Sequence, residues 1–207
     1  MDFSKSFSFM FKDSSWRSKI FIGGLWNIAS LFFIGYPFVL GYYFSVLQNT
    51  INGKEEILPD WSDLTDKFQK GFMILIIYFS YTLPVIIITV FLDDTIGDTG
   101  AITLVLILLL IFWLPMVTIN FARTGDFMSA YRVNEMINTI MNNTGIYIPM
   151  VLLSLSIISF SFFFGSLMFG IGIPFFTFWG ITVSAHLAGQ FGKYLGGADQ
   201  KSQKVNV

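Results

Sequence analysis

The sequence predicts an all-α, polytopic membrane helical bundle of three units, each an amphipathic stretch followed by an apolar hairpin. Three observations predict it. Hydrophobic residues make up 54% of the 207 residues and charged residues 12%, with a mean hydropathy of +0.68, far from the balance of a soluble domain. Four uncharged runs, 20–53, 71–92, 99–122 and 136–192, each reach the roughly 20 apolar residues that cross ~30 Å of hydrocarbon. All twelve Lys and Arg residues fall into four short segments: Lys5, Lys12, Arg17 and Lys19; Lys54, Lys67 and Lys70; Arg123 and Arg132; Lys193, Lys201 and Lys204. The positive-inside rule puts those segments on the cytoplasmic side.

Residues 1–19 mix Phe3, Phe7, Met10 and Phe11 with Lys5, Lys12, Asp13 and Arg17, which reads as an amphipathic interfacial stretch and not as a cleavable signal peptide. The next run, 20–50, is interrupted at Gly35-Tyr36-Pro37. If it crossed once, the four N-terminal cations would lie outside; if it turns back, every cation lies inside. Pro37 disfavours helical geometry at Tyr36, and arms of about 15 residues reach only ~20 Å. A re-entrant hairpin satisfies both conditions, and its tip must be shielded from lipid by other helices. The competing arrangement is one long, tilted helix kinked at Pro37.

Residues 54–70 contain "LPDWSDLTDKFQKG", in which Trp61, Leu64 and Phe68 recur at helical spacing, with Asp60 placed to cap the helix and Asp63 near its positive end. A transmembrane hairpin over 71–122 follows, its outer tip being the acidic "LDDTIGDTG". Residues 124–143 form a third amphipathic stretch, with Phe127, Ala130, Tyr131, Val133, Ile137, Ile140 and Met141 opposite Arg132, Glu135, Thr139 and Asn142. A second transmembrane hairpin covers 146–192 with "FGIGIP" as its outer tip, and 193–207 is a polar tail. The whole chain, 1–207, is one integral membrane domain.

The ordered motifs "WRSKIFIGGLWNIAS", "GYYFSVLQNTINGKEEILPDW", "FARTGDFMSAYR" and "SAHLAGQFG" resemble the bacterial and archaeal membrane family catalogued as domain of unknown function 4013. The resemblance implies a multi-pass protein of the prokaryotic plasma membrane. It implies no activity, cofactor or catalytic residue.

Candidate chemistry is sparse. The only histidine, His186, and Gln190 one turn on share a face near the cytoplasmic end of the last apolar segment; Asn120 and Arg123 end the third on the same side. If those segments pack together, the four form a polar cluster, and Arg123 could meet a lipid phosphate. A lone His with no Cys in the chain builds neither a metal site nor a catalytic triad. Asp93, Asp94 and Asp98 do not follow the calcium-loop pattern. Gly180, Ser184, Ala188 and Gly192 step by four along one helix face, the spacing of a close-packed interface, and Thr182 on the other side should face lipid. Trp16, Trp61, Trp113 and Tyr194 read as interfacial anchors. The near-neutral net charge of −1 argues against nucleic acid. The expectation is a non-catalytic scaffold or accessory subunit, with membrane lipids and other integral membrane proteins as partners and no cofactor. Prolines 84, 115, 149 and 174, with the broken first run, keep a small-solute or lipid transporter or channel component as the alternative.

Overall fold

The computed structural model describes residues 2–96 and 99–205. Among them it has eight α-helices and no strand: α1 Phe3–Ser8, α2 Trp16–Ala29, α3 Tyr36–Ile51, α4 Leu64–Ile96, α5 Gly100–Thr124, α6 Val133–Asn142, α7 Thr144–Leu167 and α8 Ile173–Val205. Three of these, over 64–93, 100–124 and 144–167, are long and apolar enough to cross a membrane. The second arm of the expected 146–192 hairpin, α8, is not among them. Residues 182–189 are buried on every face of that helix, with α1, α2, α3, α5 and α7 packed around it. A helix surrounded by protein has no lipid-facing side to make apolar, so it can carry Ser184, His186 and Gln190.

The first apolar run reverses direction. Going along α2, Gly23 meets Phe178, Gly24 meets Phe175 and Asn27 meets Pro174, so α2 runs against α8. Along α3, Tyr42 meets Phe178, Leu47 and Thr50 meet Gly189, and Ile51 meets Gly192, so α3 runs with α8. The reversal falls at Phe33, which takes the left-handed conformation (φ 64°), two residues earlier than the sequence suggests. Gly35 has ordinary dihedrals; a methyl group there would overlap the Trp26 carbonyl. Pro37 is the second residue of α3, where the missing N–H has no helical partner to lose. Tyr36 is therefore helical despite the proline after it.

No amphipathic helix forms over 54–70. Residues 52–63 are irregular, and α4 starts at Leu64 and continues without interruption into the apolar run. Its cap is Asp63, whose carboxylate accepts from Asp66 N at 2.9 Å, and not Asp60. Trp61 does not anchor an interface either: its ring stacks on Tyr42 at 4.6 Å and its Nε1 donates to Lys19 O at 2.9 Å. The stretch 124–143 also divides. Gly125 (φ 69°) ends α5 with a bond from its N–H to Phe121 O, a turn over Phe127–Tyr131 follows, and α6 restarts after Arg132. Ala130 and Met136 point into the core, whereas Val133, Ile137 and Met141 remain exposed along α6.

At the α3–α4 crossing backbone lies against backbone. A methyl group at Gly41 would overlap Lys67 O, and one at Gly71 would overlap Pro37 O. We expect Gly41→Ala or Gly71→Ala to cost at least ~1–3 kcal/mol, since rigid backbone must move to admit the methyl. Gly145→Ala, with nothing within 4 Å, should leave the melting point in detergent unchanged or raise it. Equal melting points for all three would mean that this crossing is not tight.

Candidate functional site

His186 and Gln190 come together as their spacing suggests, and the partner they find is the N-terminus. Gln190 pairs with Asp2 through both halves of its amide, accepting from Asp2 N at 2.7 Å and donating to Asp2 O at 2.8 Å. Its Nε2 also donates to Ser6 Oγ at 2.9 Å. Ser6 Oγ, which accepts that hydrogen bond, in turn donates to His186 Nδ1 at 2.9 Å, the assignment that keeps the imidazole proton on Nε2. Phe9 stacks on the imidazole at 4.2 Å. The group docks α1 and the following turn onto α8.

Asn120 is spent elsewhere. Its Nδ2 donates to Ser129 O at 2.9 Å and ties the turn before α6 to α5. Arg123 occupies the last turn of α5, where a cation suits the negative helix end. Of the expected four-residue cluster, His186 and Gln190 meet, and Asn120 bonds instead to the turn after α5. The small-residue face contacts three helices of the same chain. A methyl group at Gly180 would lie 2.5 Å from Ser161 Oγ on α7, Ser184 Oγ reaches Ser154 O on α7 at 3.5 Å, and Gly192 leaves room for Ile51 of α3 and Ile119 of α5. Ala188 is buried beside them. Thr182 does not face lipid: it is 0% exposed and bonds Phe178 O, because α8 has neighbours on that side too.

Two features escape the sequence. Lys19, inside the molecule, gives its three ammonium protons to Asp13 Oδ2 (2.7 Å), Asp60 Oδ1 (2.8 Å) and Leu58 O (3.1 Å). Burial alone would lower its pKa, but the two carboxylates outweigh burial and raise it; burial likewise pushes Asp13 up, and Lys19 with Ser15 brings it below the ordinary carboxylate value. The second feature is a cavity of about 650 Å³ beside His186 and Gln190, with Asp2, Lys5, Lys54 and Lys193 in its wall. Only the confinement of basic residues to a few segments hints at it. No three His, Asp or Glu side chains gather among the described residues. Asp98 lies outside those residues, as does the side chain of Asp94; Asp93 accepts from the Thr99 hydroxyl at 3.2 Å.

The model of a protein family of unknown function, DUF4013, matches residues 27–170, from the end of α2 to the tip of α7. The chain belongs to the DUF4013 family. The DUF4013 match takes in the hairpin reversal, the Gly41–Gly71 crossing and all three membrane-length helices. No curated protein and no solved structure matches the chain.

The Lys19 contacts make a pH-dependent test. Asp13 is depressed, so its contribution is complete above ~3.9 and fades as pH falls through the folded-state value; Lys19 is raised, so its contribution is complete below ~10.4 and fades as pH rises through its folded value. Asp13→Asn should destabilise by ~3–5 kcal/mol near neutrality, since it leaves a buried cation short of a partner. Asp60→Asn, with its side chain 68% exposed, should cost at most ~1 kcal/mol. The Asp13→Asn deficit in melting point should shrink below pH ~4; a deficit that stays constant to pH ~2 would mean that the ion pair is not its source.

Proposed function

We propose that this DUF4013 protein is a non-catalytic scaffold or accessory subunit of a larger membrane complex. One observation carries the reading: the space between the arms of the broken first run, where a transporter would place a polar solute site, is filled with aromatic rings. Trp26 stacks on Phe38 at 3.9 Å and on Trp61 at 6.4 Å, and Tyr42 and Phe178 close the group. Discontinuous helices in transporters expose unwound backbone to their substrates. Here Gly35 is packed against Trp26 and Ser30, while the tip itself, Leu31 to Ile34, is exposed and apolar and not shielded by other helices as the sequence suggests.

The transporter alternative draws on a smaller interior cavity of about 220 Å³ between α3, α4, α5, α7 and α8. Its polar lining is limited to Tyr43, Tyr78, Ser154 and Ser184. Tyr78 already bonds Thr118 at 2.8 Å and Ser184 bonds Gly180 O at 2.9 Å. The cavity therefore offers little to a solute. For a scaffold, the natural docking shelf is α6, whose Val133, Ile137 and Met141 lie at the lipid boundary while Arg132 and Glu135 pair with each other at 3.8 Å on the exposed side.

Charge reversal at that shelf tests the reading. Arg132→Glu and Glu135→Lys should release partner proteins that copurify with the wild type, yet change stability by only ~0.5 kcal/mol. Retention of every partner by both variants would remove α6 as the docking surface. Orientation is tested separately. The proposed topology puts both termini and 52–63 in the cytoplasm of a prokaryote, and the chain has no Cys. Ser4→Cys and Glu55→Cys, both exposed, should be labelled by an impermeant reagent only after the membrane is opened. Labelling of one from each side would require a single crossing over 20–50.

A further inference from the structure

We infer that the cavity beside His186 is a binding site for a phosphomonoester-type dianion, either a lipid headgroup or free phosphate. Three lysines from three separate parts of the chain line it: Lys5 from α1, Lys54 from the turn after α3, and Lys193 from α8. Asp2 is the one acidic residue in its wall, and it pairs loosely with Lys5 at 3.7 Å. Three cations less one anion leave a charge of +2. Among the described residues neither Lys54 nor Lys193 has an ion pair.

Like charges converge at a cost, and the fold takes specific steps to bring these together. Gly53 adopts a left-handed conformation (φ 66°) that turns the chain from α3 to Lys54. A side chain at Gly53 would lie 2.7 Å from Lys193 Nζ, so the ammonium is seated over the bare glycine. Gln190 fixes Asp2, and with it Lys5, against the same wall. A phosphomonoester carries about −1.5 to −2 charges at pH 7 and offers three oxygens, which suits three point-charge donors and a +2 site. A carboxylate or a phosphodiester brings only one charge. The site makes no use of α6 and is independent of the scaffold reading.

The full-length protein, purified in a neutral detergent, supplies the test. Binding is measured for inorganic phosphate, and for phosphatidic acid, phosphatidylglycerol and phosphatidylcholine added in mixed micelles. Phosphatidic acid should bind more tightly than phosphatidylglycerol, and phosphatidylcholine should show no saturable binding. Lys54→Gln combined with Lys193→Gln should weaken the preferred ligand at least about tenfold, while Lys12→Gln, outside the cavity, should not. Saturable binding of phosphate alone identifies a free anion as the occupant, and binding of phosphatidic acid without phosphate identifies a headgroup. In phosphate-free buffer the double variant should melt at or above the wild type, because removing it relieves repulsion. The inference fails if neither ligand binds, if the double variant binds as the wild type does, or if the double variant melts lower without ligand.

Discussion

The fold depends on one constraint: the middle of α8, residues 182–189, has no side left for lipid. With that stretch buried all round, neighbouring helices must come close, and glycines make room for them. Gly23 and Gly24 admit Phe178 and Phe175 from α8 onto α2, and Gly189 and Gly192 admit α3. In membranes this kind of approach supplies much of the helix association that hydrophobic burial supplies in water, since lipid tails are as apolar as the side chains they would replace. The second close contact, Gly41 with Gly71, then fixes α4 to the arm that α8 holds.

The same constraint accounts for the polar chemistry. Inside the bundle, hydroxyl groups return to the carbonyl one turn back on their own helix, as Thr50, Thr118, Ser161, Thr182 and Ser184 do. Tertiary bonds run from aromatic hydroxyls and amides to backbone, as Tyr81 to Ala130 O, Tyr147 to Phe112 O, Asn27 to Pro174 O and Asn120 to Ser129 O, or to hydroxyls, as Tyr78 with Thr118 and Asn27 with Thr177. Such bonds hold helices in register and occupy donors that a ligand would need. Two buried hydroxyls, Tyr42 OH and Ser45 Oγ, have no partner within the bundle, and charged side chains gather outside the packed interior, at the lysine-lined cavity.

Much of the fold is legible in the sequence because it follows from local chemistry. Uncharged runs give the long helices, Gly125 closes α5, and the confinement of basic residues anticipates that 20–50 turns back. The misreadings share a cause. Trp61 looks interfacial by position, but Tyr42 and Lys19 O, both distant in sequence, draw it inside. Asp60 has the spacing of a cap, yet Lys19 takes it, and Asp63 caps instead. Thr182 reads as lipid-facing when only α7 is counted as a neighbour of α8; α2 and α3 pack on that helix as well. The pairing of His186 with Gln190 is legible from their i, i+4 spacing. Their partners Asp2 and Ser6, 188 and 180 residues away, are not, because no periodicity encodes a contact of that range.

The two ends of α8 differ in a way that bears on how the molecule sits. Near its start, the turns beside it are apolar and bare: Leu31 to Ile34 are exposed, and Phe169 is 99% exposed. Near residue 193 lie the lysines of the cavity. Exposed phenylalanine at a loop tip is costly in water and favourable in hydrocarbon. From Lys19 to Phe33 there are 14 residues, about 21 Å of helix, against ~30 Å of bilayer core. An arm of that length, with the Lys19 carboxylate pairs at one headgroup level, would end short of the far surface. Asn27 bonds Pro174 O and Thr177, so the tip of the α7–α8 hairpin stands beside it at comparable depth. The helices long and apolar enough for a full crossing are α7 and the pair α4 and α5. The outer halves of α4 and α5, from Ile86 to Phe91 and from Ile102 to Leu109, expose aliphatic and aromatic side chains, the surface that helices extending beyond the shorter hairpins must present.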